Sequence, residues 1–202
     1  MSIPTKIKSD YFIKIISDAL AKAAESFSKI AHEKVEISVP SFELVQHIDD
    51  FINKVTADNI DVMVQSEING DLYGQTILLF SYEHIESLEN VCFDFEIPPS
   101  NKEEIRKSFL LEVSNILTGS IVTEFANTLH LNLYGSVPLD PILVSKLSKE
   151  KLILSLDVSY MIFTVYTSFV EASKNVSLPM MLIFDYENLT KIMNLIELSN
   201  KK

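Results

Sequence analysis

The sequence predicts an α+β fold: duplicated pseudo-twofold halves that pack long helices on a continuous, mainly antiparallel sheet. Three observations lead there. A four-residue pattern, Asp10, Lys14, Ser17 and Pro40, returns as Ser108, Glu112, Asn115 and Pro138 at a constant offset of 98 positions. An aliphatic strand end followed by F-x-Y-E occurs at Phe80–Glu83 and again at Phe184–Glu187. Between these landmarks, residues 61–80 and 152–184 are rich in β-formers, as hairpin strands should be. The expected organisation is a single domain over 1–202 made of two repeats, about 9–97 and 98–200.

Taken in order, residues 9–31 read as a long helix that runs into a short strand, VEISVP, at 35–40. Hairpin strands follow within 61–80, with Asn69-Gly70-Asp71 as their turn. The stretch ILLFSYEHIESL at 77–88 is a strand entering a helix, with Tyr82 near the junction. Residues 90–101, including Pro98-Pro99, are the expected seam between the halves, with the sheet continuous across it. The second long helix covers 101–129, and Ser100 with Glu103 three residues later has the spacing of a capping box. It leads into LNLYGSVP at 131–138, the counterpart of the first short strand. Strands within 152–184 then turn at Ser173-Lys174-Asn175, and LIFDYENLTKI at 182–192 repeats the strand-to-helix entry with Tyr186. The register of this second signature is 104 rather than 98, so the second half has gained about six residues between the landmarks. In the 98 register, Phe27/Phe125, His32/His130, Ser38/Ser136, Val39/Val137 and Pro40/Pro138 are identical. The two histidines stand near helix ends, where capping or packing is the expected role.

Composition narrows the function classes. Hydrophobic residues make up 47% and charged residues 22%, a globular rather than a disordered balance. No apolar run approaches the roughly 20 residues a membrane helix needs, so no membrane insertion is expected. The N-terminus MSIPTKIKSDYF lacks the apolar core of a secretory signal, Cys92 is the lone cysteine, and no Cys/His cluster has zinc spacing. A cytoplasmic address is expected. A net charge of −11 argues against nucleic acid as a partner. The densest basic group, Lys102, Arg106 and Lys107, is interleaved with Glu103 and Glu104 and reads as a solvated first helical turn. No Ser/His/Asp order is recognisable, and four glycines leave no phosphate-cradling loop.

The helix at 101–129 carries the candidate chemistry. At about 100° per residue, Ser108, Glu112, Asn115 and Gly119 fall within roughly 60° of one another, a narrow stripe. Phe109, Leu110, Val113, Ile116, Leu117 and Ile121 occupy the broad opposite side and should face the core. The stripe therefore points outward. A helical glycine costs about 0.5–1 kcal/mol relative to alanine, so close approach of something at Gly119 is expected to compensate. Ala21, its counterpart, is also small.

Asp or Ser, then Glu four residues on, then Asn three further, then 22 residues and Pro resembles the signature of the CheC/CheX/FliY family of chemotaxis phosphatases. The stretch FLLEVSNILTGSIVTEF looks like an active-site helix of that family, and KVEISVP like the end of the other copy. In length and duplication the CheC branch matches best. The resemblance implies a phosphatase that acts on the phospho-aspartate of a CheY-type response regulator. It implies that Asn115 orients the attacking water and that Glu112 pairs with the regulator's active-site lysine, with Ser108 and Gly119 at the partner-binding surface. It places the divalent metal, magnesium, on the regulator, so no metal or other cofactor is expected on this chain. It also allows a CheD-like deamidase as a further partner, and a non-catalytic adaptor like flagellar-switch relatives as the alternative function. The first half departs from the pattern: Lys14 and Ser17 stand where Glu and Asn are required. A lysine there would repel the regulator's lysine, so this first site is expected to be degenerate and silent.

Overall fold

The computed structural model describes residues 6–31, 34–45, 59–93, 98–146, 160–171 and 174–199. Along the chain these form α1 (Lys6–Ala31), β1 (Glu36–Val45), β2 (Val62–Gly70), β3 (Gly74–Phe80), α2 (Tyr82–Cys92), a 3₁₀ turn (Pro99–Asn101), α3 (Lys102–Leu129), β4 (Leu133–Gly135), β5 (Ile142–Leu143), β6 (Tyr160–Glu171), β7 (Lys174–Asp185) and α4 (Tyr186–Ser199). The strands make one seven-stranded sheet in the order β1-β6-β7-β3-β2-β4, with β5 also on β2. Every pairing is antiparallel. The fold is α+β, and β3 joins β7 from Gly74↔Phe184 to Leu78↔Met180, so the sheet runs unbroken across the expected seam. Exchanging β1, β2 and β3 with β4, β6 and β7 reads the strand order backwards, an arrangement compatible with duplicated halves.

The two strand-to-helix junctions are built alike. Ser81 caps α2: its hydroxyl accepts from the His84 backbone N–H at 3.1 Å, and His84 Nδ1 accepts from the Ser81 N–H at 3.3 Å. Asp185, 104 positions later, accepts from the Asn188 N–H at 2.6 Å. The middle residue of F-x-Y-E is thus the helix cap in both copies, satisfying an N–H that the first turn leaves without an intrahelical acceptor. The hairpin reverses next to the expected Asn69-Gly70-Asp71, but Asn69 and Gly70 still belong to β2, paired with Tyr134 and Leu133 of β4, and Asp71–Tyr73 link the strands. Gly70 has φ of 117°, and a β-carbon there would lie 2.1 Å from the Asn132 carbonyl oxygen. That oxygen accepts from the Asp71 N–H at 2.9 Å, and the Asp71 carboxylate accepts from the Asn132 N–H at 2.8 Å, locking the turn to the start of β4.

Several expectations need correction. Ser100 and Glu103 make no capping box. Pro98-Pro99 set up the 3₁₀ turn, closed by the Asn101 N–H on the Pro98 carbonyl at 3.0 Å, and this moves the N-cap of α3 to Asn101, whose side chain makes no capping bond. Lys174 and Asn175 already belong to β7, paired with Glu171 and Val170, so they are not turn residues; Ser173 lies outside the described residues. The first short strand extends to Val45, with a bulge between Ser38 and Ser41 that accommodates Pro40 on an edge strand. The second is shorter than expected, only Leu133–Gly135. By length and composition α3 could span a membrane, yet 56% of its most apolar window is buried.

One face of the sheet, through Val62, Val64, Ile68, Leu78, Phe80, Met180, Leu182 and Phe184, packs under the helices with Phe12, Ile16, Leu20 and Phe27 of α1 and Phe109, Val113, Leu117, Ile121 and Phe125 of α3. Fully burying each such side chain contributes about 1.5–3 kcal/mol. The Phe12 ring meets Phe125 edge-on at 5.4 Å, and Phe125 lies 6.3 Å from Phe184, linking α1, α3 and β7.

Candidate functional site

The core face of α3 includes the expected residues, with Ile116 only partly buried, and gains Val122, Phe125 and Leu129 together with two polar residues that periodicity did not reveal. Ser114 and Thr118 are buried polar residues. Thr118 shares a 2.7 Å hydrogen bond with Thr76 of β3, and Ser114 lies 3.4 Å from Ser66 of β2. Short polar side chains let the helix sit close to the sheet while leaving no buried hydroxyl unpaired. Lys22 of α1 also bonds Glu124 of α3. The helix bearing the stripe is therefore held in azimuth from below and from one side.

Its outer face carries Ser108, Glu112 and Asn115, all exposed, with Gly119 at partial exposure. Glu112 and Asn115 make no side-chain hydrogen bond or ion pair with another described residue. A β-carbon built on Gly119 would meet nothing within 4 Å. Packing inside this chain therefore does not demand the glycine; the space above it is open. Beside the upper stripe lies an open depression of about 550 Å³, lined by Ile30, Phe93, Asn101, Glu104, Ile105, Ser108, Phe109 and Glu112. Among its described lining residues Glu104 and Glu112 carry the charge, beside the apolar Ile30, Phe93, Ile105 and Phe109. Such a site favours a lysine, whose stem can lie along apolar surface while its ammonium meets a carboxylate. Pro138 is buried, whereas its neighbours Val137 and Leu139 are exposed.

The corresponding face of α1 differs. Asp10, Lys14 and Ala21 are exposed and Ser17 is half-buried. Lys14 is engaged with Asp18 at 3.1 Å, one turn along the same helix, and that hydrogen bond, with the charge behind it, raises the lysine pKa. Position 18 corresponds to Ile116 in the second half, so Glu112 has no equivalent neighbour. The side chain of Pro40 and all of His32 lie outside the described residues. His130 takes a left-handed conformation, φ 54° and ψ 47°, as the C-cap of α3, its N–H bonding the Ala126 carbonyl. The basic group at the start of α3 is not merely solvated. Arg106 is mostly buried and grips Glu89 of α2 with two 2.7 Å hydrogen bonds, while Lys107 meets Asp140 at 2.7 Å. Among the described residues, no group of three or more His, Cys, Asp or Glu side chains could hold a metal ion.

No protein-family model matches the chain. It is 26% identical over 121 residues to the CheY-P phosphatase CheC of Bacillus subtilis (strain 168), covering 57% of this chain and 57% of that protein. The chain thus spans little more than half the length of this curated relative. Among solved structures it superposes on FliY of Thermotoga maritima with a TM-score of 0.74 at 16% identity, covering 98% of this chain and 100% of that one. It superposes on a CheX–CheY–BeF3–Mg complex from Borrelia burgdorferi with a TM-score of 0.53 at 18% identity, covering 86% and 98%. The chain has the fold of the CheC/CheX/FliY family.

Proposed function

We propose that this chain is a phosphatase for the phospho-aspartate of a CheY-type response regulator in chemotaxis signalling, with one working site on α3. The observation that carries the reading is the pairing of an exposed, unpartnered carboxamide, Asn115, with an exposed, unpartnered carboxylate, Glu112, one turn apart on an immobilised helix. The similarity to CheC and the shared fold with CheX, crystallised with CheY, support it.

In this reading α3 enters the regulator's pocket. Glu112 meets the regulator's lysine and fixes the register of the two proteins. Asn115 accepts from and donates to a water, aligning it with phosphorus opposite the aspartyl oxygen. Attack forms the new P–O bond as the aspartyl–phosphate bond breaks, giving a free carboxylate and inorganic phosphate; the water's proton leaves with phosphate or solvent. An acyl phosphate is already reactive, so positioning is the chain's main contribution. The divalent metal, magnesium, resides on the regulator, where it offsets phosphoryl charge. The carbonyl and N–H₂ of Asn115 ask for no ligand set on this chain.

The two halves are read as repeats of which the first has lost its site. Lys14 carries the wrong charge and is drawn along its own helix to Asp18, and Ser17 is too short to reach a water inside another molecule.

The deciding experiment adds the chain to the CheY-type regulators of the same organism, each phosphorylated with phosphoramidate, and follows phosphate loss. Faster loss that falls at least about 100-fold in Asn115→Ala is the expected outcome. Binding without faster loss would make the chain an adaptor, and undiminished turnover in the variant would remove Asn115 from the mechanism.

A further inference from the structure

We infer that the ribbon from Ser136 to Leu139 is a docking ridge for the same response regulator, supplying affinity rather than chemistry; this rests on the regulator-binding reading above. The described residues include six exposed large hydrophobic side chains, and two of them, Val137 and Leu139, stand two positions apart in this ribbon; Tyr134, just before it, alternates with the α3-facing Gly135 and projects from the other face of the sheet. Val137 is 82% exposed and Leu139 50%. Single apolar residues on a surface need no explanation, whereas a cluster marks a contact site.

The ribbon's position says what covers it. At one end a β-carbon built on Gly135 would lie 3.5 Å from Thr118 Cγ2 of α3; at the other, Asp140 bonds Lys107 of α3 at 2.7 Å. The eleven residues from Lys107 to Thr118 rise about 16 Å along the helix. The five steps from Gly135 to Asp140, if extended, cover about the same length. The ribbon therefore runs beside α3 over the same stretch as the stripe from Ser108 to Gly119. A stable contact covers about 800 Å² on each partner, a disc roughly 30 Å across, whereas a helix with its side chains is only about 10–12 Å wide. A protein seated on Asn115 extends over the ribbon as a matter of size.

The ribbon is also pre-ordered. The Ser136 N–H donates to the Glu67 carbonyl, the Ser136 hydroxyl accepts from the Glu67 N–H, and the Leu139 N–H donates to the Gln65 carbonyl, each at 2.8 Å. Buried Pro138 sits between these bonds, where its missing N–H costs nothing. A ridge fixed in advance loses little entropy on docking.

The test is Val137→Asp, with Leu198→Asp, another exposed apolar site, on α4, as control. The probes are the same phosphoramidate-treated regulators, assayed for rate across concentration, with sedimentation of the chain alone. The expected result is a half-saturating concentration raised about tenfold in Val137→Asp with the saturated rate kept within about twofold, and no change in the control. Unchanged half-saturation while Asn115→Ala still abolishes turnover would overturn the ridge and leave the phosphatase standing. A change in self-association of Val137→Asp with normal half-saturation would assign the ribbon to a second copy of this chain instead. If the wild type neither binds nor dephosphorylates any regulator, both readings fall together.

Discussion

Arg106 and Glu89 form a two-pronged ion pair, with Nε and one terminal nitrogen of the guanidinium each 2.7 Å from a carboxylate oxygen. The pair fastens α2 to the first turns of the helix that carries the stripe. Both side chains are mostly buried, at 19% and 10% exposure, so solvent screens the pair less than it would a surface contact. Arg106→Ala leaves the Glu89 carboxylate in a dry setting without its partner and is expected to cost about 2 kcal/mol. For a chain of this size that lowers the thermal midpoint by roughly 4–8 °C, readable by circular dichroism. A shift below about 1 °C would mean that water replaces the guanidinium without penalty.

The Thr76–Thr118 hydrogen bond allows a sharper test of how α3 is held. Both hydroxyls are buried and face each other at 2.7 Å. Thr118→Val keeps the shape but leaves Thr76 unpaired, at an expected cost of about 1–3 kcal/mol. Thr76→Val in addition removes the orphan, and the double variant should recover most of the loss. Denaturant unfolding of the two singles and the double measures the coupling. Strictly additive losses would show that the hydroxyls do not act as a pair.

What the sequence revealed and what it hid follow from the range of each interaction. The long helices, the hairpin reversal next to Gly70 and the outward stripe are encoded locally, in periodicity and in the conformational freedom of one glycine, and all were legible. The F-x-Y-E repeat marked both strand-to-helix junctions, although the capping role of Ser81 and Asp185 was not read from it. Ser100 and Glu103 misled because spacing alone cannot show that two prolines insert a 3₁₀ turn and shift the helix start by one residue. Arg106 misled for another reason: its partner, Glu89, is 17 residues away on a different helix, and a charge run gives no hint of that. Ser114 and Thr118 were hidden because a buried hydroxyl needs a partner that only the sheet supplies.

The asymmetry between Lys14 and Glu112 gives a paired prediction. Lys14→Ala removes a solvent-exposed ion pair with Asp18 on a helix read as silent, so turnover of a phosphorylated regulator should stay within about twofold. Glu112→Ala removes the carboxylate expected to meet the regulator's lysine and should raise the half-saturating concentration about tenfold or more. The loss should shrink in high salt, where the wild-type pair is itself screened. Equal effects from the two substitutions, measured on the same regulator, would mean that both halves bind it.

Gly119 separates what the fold needs from what a partner needs. A β-carbon there would meet nothing within 4 Å, so a side chain can leave the helix without a clash at its base. Gly119→Leu should stabilise α3 by about 0.5–1 kcal/mol, because glycine is a poor helix former, and raise the midpoint by roughly 1–4 °C. The same leucine projects from the stripe one turn beyond Asn115, where the proposed regulator would close on the helix. Turnover should therefore fall at least about tenfold in a protein that is more stable than the wild type. Loss of activity with a gain in stability is a combination that damage to the fold cannot produce. A Gly119→Leu variant that is stabilised and fully active would show that nothing approaches this part of the helix, and the docking pose built on Asn115 would have to be abandoned.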